Sequence, residues 1–324
     1  MPFTVVQGTY HVVRYSPDGD SIRFQPASPA LLDDLDGPPA RINARGHVQL
    51  RIEAIDALET HYNPPSGGGT YHQPVVLADE ARTRLLDFVG IRDVVWNTNR
   101  SNVVSATDGT PGHILTRTVE KNGRPVAFVF VGDPPADDGS NVHLDEAILR
   151  RSFNYLSLAE GLAYPTYYRG LFNDLRNVLT AAAMEARAAR RGIHAKDATT
   201  TGFDADSIAV LTEQATILPK LFRRLITYVV SHGTAAGFKD TLELSREPVL
   251  HIPTGNFTHF DTFIEEKGSR IRMTCEPDEL VFDEMATRPT AAFGWFMDER
   301  TAAKTPPWQT REEIARVFGD NSWT

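Results

Sequence analysis

Apolar and polar residues alternate from Val48 to Ile55. Val48, Leu50, Ile52 and Ala54 fall on one side, and Gln49, Arg51, Glu53 and Ile55 on the other. Successive side chains of a strand point to opposite faces, so this segment predicts a half-buried strand. The apolar-rich stretch from Tyr10 to Phe24 predicts strands around a turn at Pro17-Asp18-Gly19. Val94-Val95-Trp96 begins another strand. His113 to Lys121 and Arg124 to Val131 flank Asn122-Gly123, the strongest short hairpin signal in the chain. Helical patterns cover about 78–89, with Asp79 and Glu80 in the first turn and Gly90 at the stop, then Leu144 to Tyr155, and about 167–191, ended by Gly192. Residues 25–45 are rich in Pro and Asp and predict an inserted loop. Tyr62 to Gln73, with Pro-Pro and Gly-Gly-Gly, predicts another; the triple glycine lacks the Lys-Ser/Thr of a phosphate cradle.

The order strands, helix, hairpin, helices suits an α+β fold: a small barrel with helices packed at one side. The polar stretch 193–203 lacks periodicity and marks a boundary, giving expected domains at 1–198 and 199–324. The second opens with helices at about 206–217 and 219–231, Pro219 suiting a first helical position. Strands are expected around 240–244, 249–252, 269–275 and 279–282. A last helix is expected at about 310–318, with a capping box of Thr310 and Glu313. No motif for chemistry falls in this half; regulation or homo-oligomerisation is the reading left for it.

Composition narrows the classes. The chain has 324 residues, 41% hydrophobic and 23% charged, near the globular average and enough for one large domain or two ordinary ones. The net charge of −9 argues against a broad basic surface for nucleic acid but leaves room for a local basic cleft. The single cysteine, Cys275, gives no intramolecular disulfide and no expectation of a cysteine-based metal site, and His251 and His259 lack a zinc-binding pattern. No apolar run reaches the roughly 18 residues that span a bilayer, and Met1 to Val6 carries no secretion signal, so a cytoplasmic location without membrane partners is expected.

Three segments carry candidate chemistry: Asp18-Gly19-Asp20-Ser21, Arg51-Ile52-Glu53-Ala54-Ile55-Asp56-Ala57-Leu58-Glu59, and Glu120-Lys121-Asn122-Gly123-Arg124. Together they supply what phosphodiester hydrolysis requires. A hard divalent cation held by carboxylates offsets the phosphate charge and binds the attacking water. Guanidinium groups grip phosphate oxygens bidentately, and a further carboxylate orients or deprotonates the water. Asp20 and Asp56 are the candidate metal carboxylates, Glu59 the base, and Arg51 and Arg124 the phosphate clamps.

These segments resemble the thermonuclease, or staphylococcal-nuclease-like, family. There an Asp-Gly-Asp-Thr segment is followed by Arg, four residues and Asp-Thr-Pro-Glu, and then by a Tyr-Gly-Arg hairpin leading into an apolar strand. Asp18-Gly19-Asp20, then Arg51, Asp56 and Glu59, keep the spacing inside each motif, and Asn122-Gly123-Arg124 before Val126-Ala127-Phe128-Val129-Phe130 resembles the third. The resemblance covers residues 8–195 in unbroken order. It implies a five-stranded OB-type barrel with three helices and a nuclease acting on DNA and/or RNA. It further implies Ca²⁺ (or Mg²⁺ or Mn²⁺) at Asp20, Asp56 and the carbonyl of Ala57, and nucleic-acid contacts from Lys121, Tyr164, Tyr167 and Tyr168. The departures are Ala57-Leu58 for Thr-Pro, Asn122 for the nucleotide-contacting Tyr, and longer loops on both sides of the second motif. A non-catalytic module on the same barrel, binding nucleic acid or a protein, is the alternative; retention of both Asp, the Glu and both Arg favours catalysis.

Overall fold

The computed structural model describes residues 2–283. From the N-terminus run β1 (Phe3–His11), β2 (Arg23–Pro26), β3 (Val48–Gln49), β4 (Arg51–Ile52) and β5 (Ile55–Ala57). Helix α1 (Val75–Phe88) follows, then a small hairpin of β6 (Arg92–Trp96) and β7 (Val103–Thr107), and a long hairpin of β8 (Thr110–Val119) and β9 (Pro125–Phe130). One sheet runs β3-β2-β1-β8-β9-β4. Its two end strands are separated only by Leu50, whose N–H donates to the Ile22 carbonyl at 2.9 Å. One bent strand therefore pairs with β2 on one side and runs parallel to β9 on the other, with Arg51 opposite Val126. The sheet nearly closes into a barrel, and closure removes exposed strand edges. Val5, Tyr10, Phe24, Val48, Leu50, Leu115 and Phe128 of these strands are buried in one hydrophobic core.

The alternation over 48–55 is broken where the barrel needs a corner. Ala54 takes a left-handed backbone with φ +68°, a costly conformation for a residue with a Cβ. The chain turns there from β4 into β5. The fully buried Asn154 satisfies the backbone groups freed at the corner: its amide donates to the carbonyls of Glu53 (2.8 Å) and Ala127 (3.1 Å), and its oxygen accepts from Val129 N–H (3.0 Å).

The Asn-Gly hairpin is present, as a three-residue loop. Glu120 N–H donates to the Arg124 carbonyl, and Gly123 sits at φ +80°. Helix α1 begins at Val75, so Asp79 and Glu80 lie beyond its first turn; Gly90, with φ +80°, ends it. After β10 (Asn141–Val142), which adds to β1, the stretch expected as one helix from Leu144 to Tyr155 is two: α2 (Glu146–Leu149) and α3 (Phe153–Ala159). Asp145 and Ser152 cap them, and the Ser152 cap divides the segment. Then come β11 (Ala163–Pro165), β12 (Tyr167–Tyr168) and α4 (Asn173–Ala188), so the helix expected from 167 starts later because Tyr167 and Tyr168 are drawn into a sheet.

The additional α+β region comprises β13 (Phe203–Asp204), α5 (Ile208–Glu213), α6 (Pro219–His232), α7 (Phe238–Ser245), β14 (Pro248–His251), β15 (Asn256–His259), β16 (Ile264–Lys267), β17 (Arg270–Met273) and β18 (Leu280–Phe282). Helix α7 lies where a strand at 240–244 was expected. Its buried residues, Phe238 and Leu242, are four apart, while Leu244, which made the segment look alternating, is 84% exposed. The Glu266 carboxylate accepts the N–H groups of Gly237 (2.6 Å) and Lys239 (2.8 Å) at the start of α7, where helix N–H groups have no partner of their own. One sheet runs β12-β18-β14-β15, and one core joins Leu58, Ala78 and Tyr164 to Phe222, Leu225 and Ile226. Residues on both sides of position 198 thus share a sheet and a core. The helix expected at 310–318 lies outside the described residues. Among the described residues, no helix is long and apolar enough to cross a membrane.

Candidate active site

The first two motifs meet at one end of the barrel. Gly19 packs so closely that a Cβ on it would lie 2.6 Å from the Cβ of Ala57 and 2.8 Å from that of Ala81. That approach brings the Asp18-Gly19-Asp20 turn against β5 and α1. Ser21 Oγ donates to Asp18 Oδ1 at 2.7 Å, and Ala57 N–H donates to Asp20 Oδ2 at 3.1 Å. The Asp20 carboxylate is thereby held beside the residue that follows Asp56. Asp56 sits on β5 opposite Tyr164 of β11 and is 5% exposed. Glu59 is fixed through its backbone by Gln73, which is fully buried: Glu59 N–H donates to Gln73 Oε1 (3.1 Å), and Gln73 N–H donates to the Glu59 carbonyl (2.8 Å). The Gln73 amide also donates to the Ile217 carbonyl (2.8 Å), tying Glu59 to the C-terminal region.

A cation from that region reaches the same place. Arg223, on α6, grips Asp56 with a two-pronged contact, Nη1 to Oδ1 at 3.0 Å and Nη2 to Oδ2 at 2.9 Å. The same Nη1 donates to Glu59 Oε1 at 2.5 Å. Sequence reasoning missed this residue. Its helix was legible, but nothing in the pattern of α6 names carboxylates 167 and 164 residues away. Asp18, for which the motif implied no role, belongs to the cluster too.

Four carboxylates, buried at Asp56 and half-buried at Asp18, Asp20 and Glu59, therefore gather here, and among the described residues the Arg223 guanidinium contacts two of them. Burial holds Asp20 well above the usual carboxylate range, and the charges of Asp18 and Asp56 add to the rise. Asp18 is raised by burial, with Glu59 contributing. Glu59 is pushed up to about 7, first by burial, with Arg223 opposing and Asp20 and Asp56 adding. Burial works against the charge of Arg223, but Asp56 and Glu59 more than offset it and its pKa rises.

The remaining predicted residues divide. Arg51 lies with its guanidinium 4.0 Å from the centre of the Tyr168 ring, and the Tyr168 hydroxyl accepts from Lys220 Nζ at 3.1 Å. Arg124 directly precedes β9, two residues before Val126, the partner of Arg51. Its Nε donates to Glu120 Oε1 at 3.1 Å. Lys121 is exposed at the tip of this hairpin. Tyr164 and Tyr167 are 1% and 0% exposed, and their hydroxyls lie 2.8 Å from Asp197 Oδ1 and Thr180 Oγ1. The nucleic-acid contacts expected of these two side chains are corrected: both rings are core, and of the three tyrosines only Tyr168 has a partly exposed side chain.

Asp20, Asp56 and neighbouring Asp18 offer hard oxygen donors whose mutual repulsion a cation would relieve, the donor chemistry of Ca²⁺, Mg²⁺ and Mn²⁺. The carbonyl of Ala57 belongs to the same strand end, although the contact Ala57 makes with Asp20 is through its N–H. Elsewhere, His251, Cys275 and Glu279 each bring one ligand atom within 4.8 Å of the others, a grouping that the separate reading of Cys275 and His251 did not anticipate. Neither a protein-family model nor a curated protein matches the chain, so the likeness to thermonucleases rests on the motifs themselves.

Proposed function

We propose that this chain is a metal-dependent phosphodiesterase of the thermonuclease type, hydrolysing DNA and/or RNA on a five-stranded OB-type barrel formed by residues 1–198. The observation that carries the reading is the convergence of two motifs, far apart in the chain, into one cluster of buried and half-buried carboxylates. A structural role gains nothing from such clustering, since buried like charges repel.

In this reading Asp20 and Asp56, with Asp18 beside them, hold one hard divalent ion, Ca²⁺ or alternatively Mg²⁺ or Mn²⁺. Such an ion, when bound, would offset the phosphate charge that repels an incoming hydroxide and would make the attacking water more acidic. Glu59 takes the proton of the attacking water; its pKa of about 7 suits a base that works near neutral pH. Arg51, on β4, and Arg124, just before the neighbouring β9, grip the phosphate oxygens as charge builds on them. Arg124 must first exchange its bond to Glu120 for the phosphate. Tyr168 holds Arg51 in place by its ring face. Lys121 is placed to meet a neighbouring phosphate of the strand.

Incubation with labelled single- and double-stranded DNA and RNA, with Ca²⁺, Mg²⁺, Mn²⁺ or a chelator, tests this. Cleavage that a chelator abolishes is expected. Cleavage that survives the chelator, or none with any of the three ions, refutes the proposal.

A further inference from the structure

We infer that Arg223 is a built-in counter-cation of the carboxylate site, and that a divalent ion binds there only by displacing its guanidinium from Asp56 and Glu59. The inference rests on the proposed metal site and assigns it a residue outside the three motifs.

The geometry forces a competition. Both oxygens of Asp56 already accept from Arg223, at 3.0 and 2.9 Å. A hard ion binds carboxylate oxygen at about 2.3–2.6 Å. With the guanidinium in its present place, an ion on the remaining lone pairs of Asp56 would sit as a like charge within a few ångströms of the arginine. The guanidinium also holds Glu59 through Oε1, so the base and the metal ligand are tied to one cation. Displacement frees both together.

The position of Arg223 makes this a device of the whole chain. Helix α6 buries Leu221, Phe222, Leu225 and Ile226 in the core shared with Leu58 and Tyr164. Packing of the C-terminal region against the barrel is what delivers the guanidinium. Thr227, one turn on, donates from Oγ1 to the Arg223 carbonyl (2.8 Å) and lies 3.0 Å from the Tyr62 hydroxyl, which fixes the helix against the 62–73 loop. Arg223 acts on the site through the carboxylates, so it is a positioning residue, one that sets the affinity for the ion. The liberated guanidinium remains at the site as a third group able to meet phosphate.

The test is calcium titration calorimetry on the full chain, comparing the parent with Arg223→Met and Arg223→Lys, and with Arg224→Met as the neighbouring control. Arg223→Met should bind calcium at least about tenfold more tightly, since a charge that competes with the ion is gone. Arg223→Lys should fall between, because it keeps the charge but loses the two-pronged grip. Arg224→Met should match the parent. Thermal melting provides a second readout. Calcium should raise the melting temperature of Arg223→Met more than that of the parent, because a ligand stabilises in proportion to its affinity for the folded state. General damage to the fold would weaken binding, so tightening separates competition from a merely structural role. Equal or weaker calcium binding by Arg223→Met overturns the inference and leaves the metal site standing. Absence of calcium, magnesium and manganese binding by parent and variants alike overturns the metal site and this inference with it.

Discussion

Two neighbouring residues of one helix, Arg223 and Arg224, meet opposite electrostatic surroundings. Arg224 donates to Glu247 through Nε at 2.8 Å, and Lys220 contacts the same carboxylate at 2.9 Å. That cluster has two cations on one anion. Burial alone would raise Glu247, but Lys220 and Arg224 outweigh it and its pKa falls. Around Arg223 the balance is reversed: Asp56 and Glu59 in contact, Asp18 and Asp20 close by, and Glu59 raised to about 7. The first cluster holds the helix in place. The second carries more buried negative charge than its arginine offsets, a condition that a further cation relieves.

Catalysis should separate the clusters most strongly. Glu59→Gln, Arg51→Lys and Arg124→Lys should each lower turnover by at least about 100-fold, the size expected for a lost base or a lost charge donor aimed at the transition state. The lysine variants keep the charge and remove the planar fork, so they test geometry. Glu247→Gln should leave turnover per folded molecule within about threefold of the parent, since an ion pair away from the reacting atoms contributes no such term. Cleavage of labelled DNA and RNA, with circular dichroism to count folded protein, measures both. An Arg124→Lys variant as fast as the parent would remove Arg124 from the site.

Stability should order the same variants the other way. Removing Glu247 leaves Lys220, 3% exposed, without its carboxylate partner. Breaking a buried pair in this manner costs about 3 kcal/mol. Glu59→Gln removes one of several crowded carboxylates and should raise stability at pH 7, by up to about 3 kcal/mol, because the charge that burial disfavours is gone. Urea unfolding curves in the presence of a chelator decide between these outcomes, and a Glu59→Gln variant less stable than Glu247→Gln would reverse the comparison.

The pH dependence sharpens it further. Glu59 binds its proton more tightly in the folded chain, at about 7 against the ordinary 4.5, so its stabilising contribution is complete below 4.5 and is lost as the pH rises through 7. For a side chain 15% exposed this amounts to a change on the order of 3 kcal/mol. Glu247, with its pKa lowered, contributes stability above the ordinary carboxylate value and loses it as the pH falls through the folded value. Metal-free unfolding from pH 3 to 8 should therefore show a decline toward alkaline pH that is weakened in Glu59→Gln, with Asp18 and Asp20, also raised, supplying the remainder. It should also show a decline toward acid pH that is weakened in Glu247→Gln.

What was legible in the sequence follows from the range of each interaction. Period-two alternation marked the strand at 48–55, and Asn122-Gly123 marked the hairpin, because both depend on neighbours in the chain. The corner at Ala54 was not legible, because it is held by Asn154, 101 residues away from Glu53. Helix α7 was misread because Leu242 and Leu244 alternate with polar residues, although only Leu242 is buried. In the candidate site, Asp18, Asp20, Asp56 and Glu59 sit in short motifs, whereas Gln73 and Arg223 act at distances no local pattern encodes. The tyrosines were the ambiguous case: three aromatic residues within five positions, of which a strand and a packed helix take two into the core.

Those tyrosines give the smallest expected effect and the most direct test of where the site ends. Tyr168 presents its ring to Arg51 at 4.0 Å and its hydroxyl to Lys220, so it touches a residue from each of the two clusters. A cation–π contact of this kind is worth about 1 kcal/mol at a partly exposed position. Tyr168→Leu should therefore weaken nucleic-acid cleavage by about fivefold, the factor that free energy corresponds to, through loss of the surface that steadies Arg51. Tyr168→Phe keeps the ring and should retain most of the activity. Tyr164→Phe removes a buried hydroxyl that donates to Asp197 and should cost about 1–2 kcal/mol of stability, as expected for a lost bond to a charged group, with little effect on activity per folded molecule. Parallel measurement of cleavage rate and urea midpoint separates the two behaviours. If Tyr164→Phe slows cleavage while Tyr168→Leu does not, the substrate path runs on the other side of β11 and the placement of Arg51 beside the phosphate is wrong.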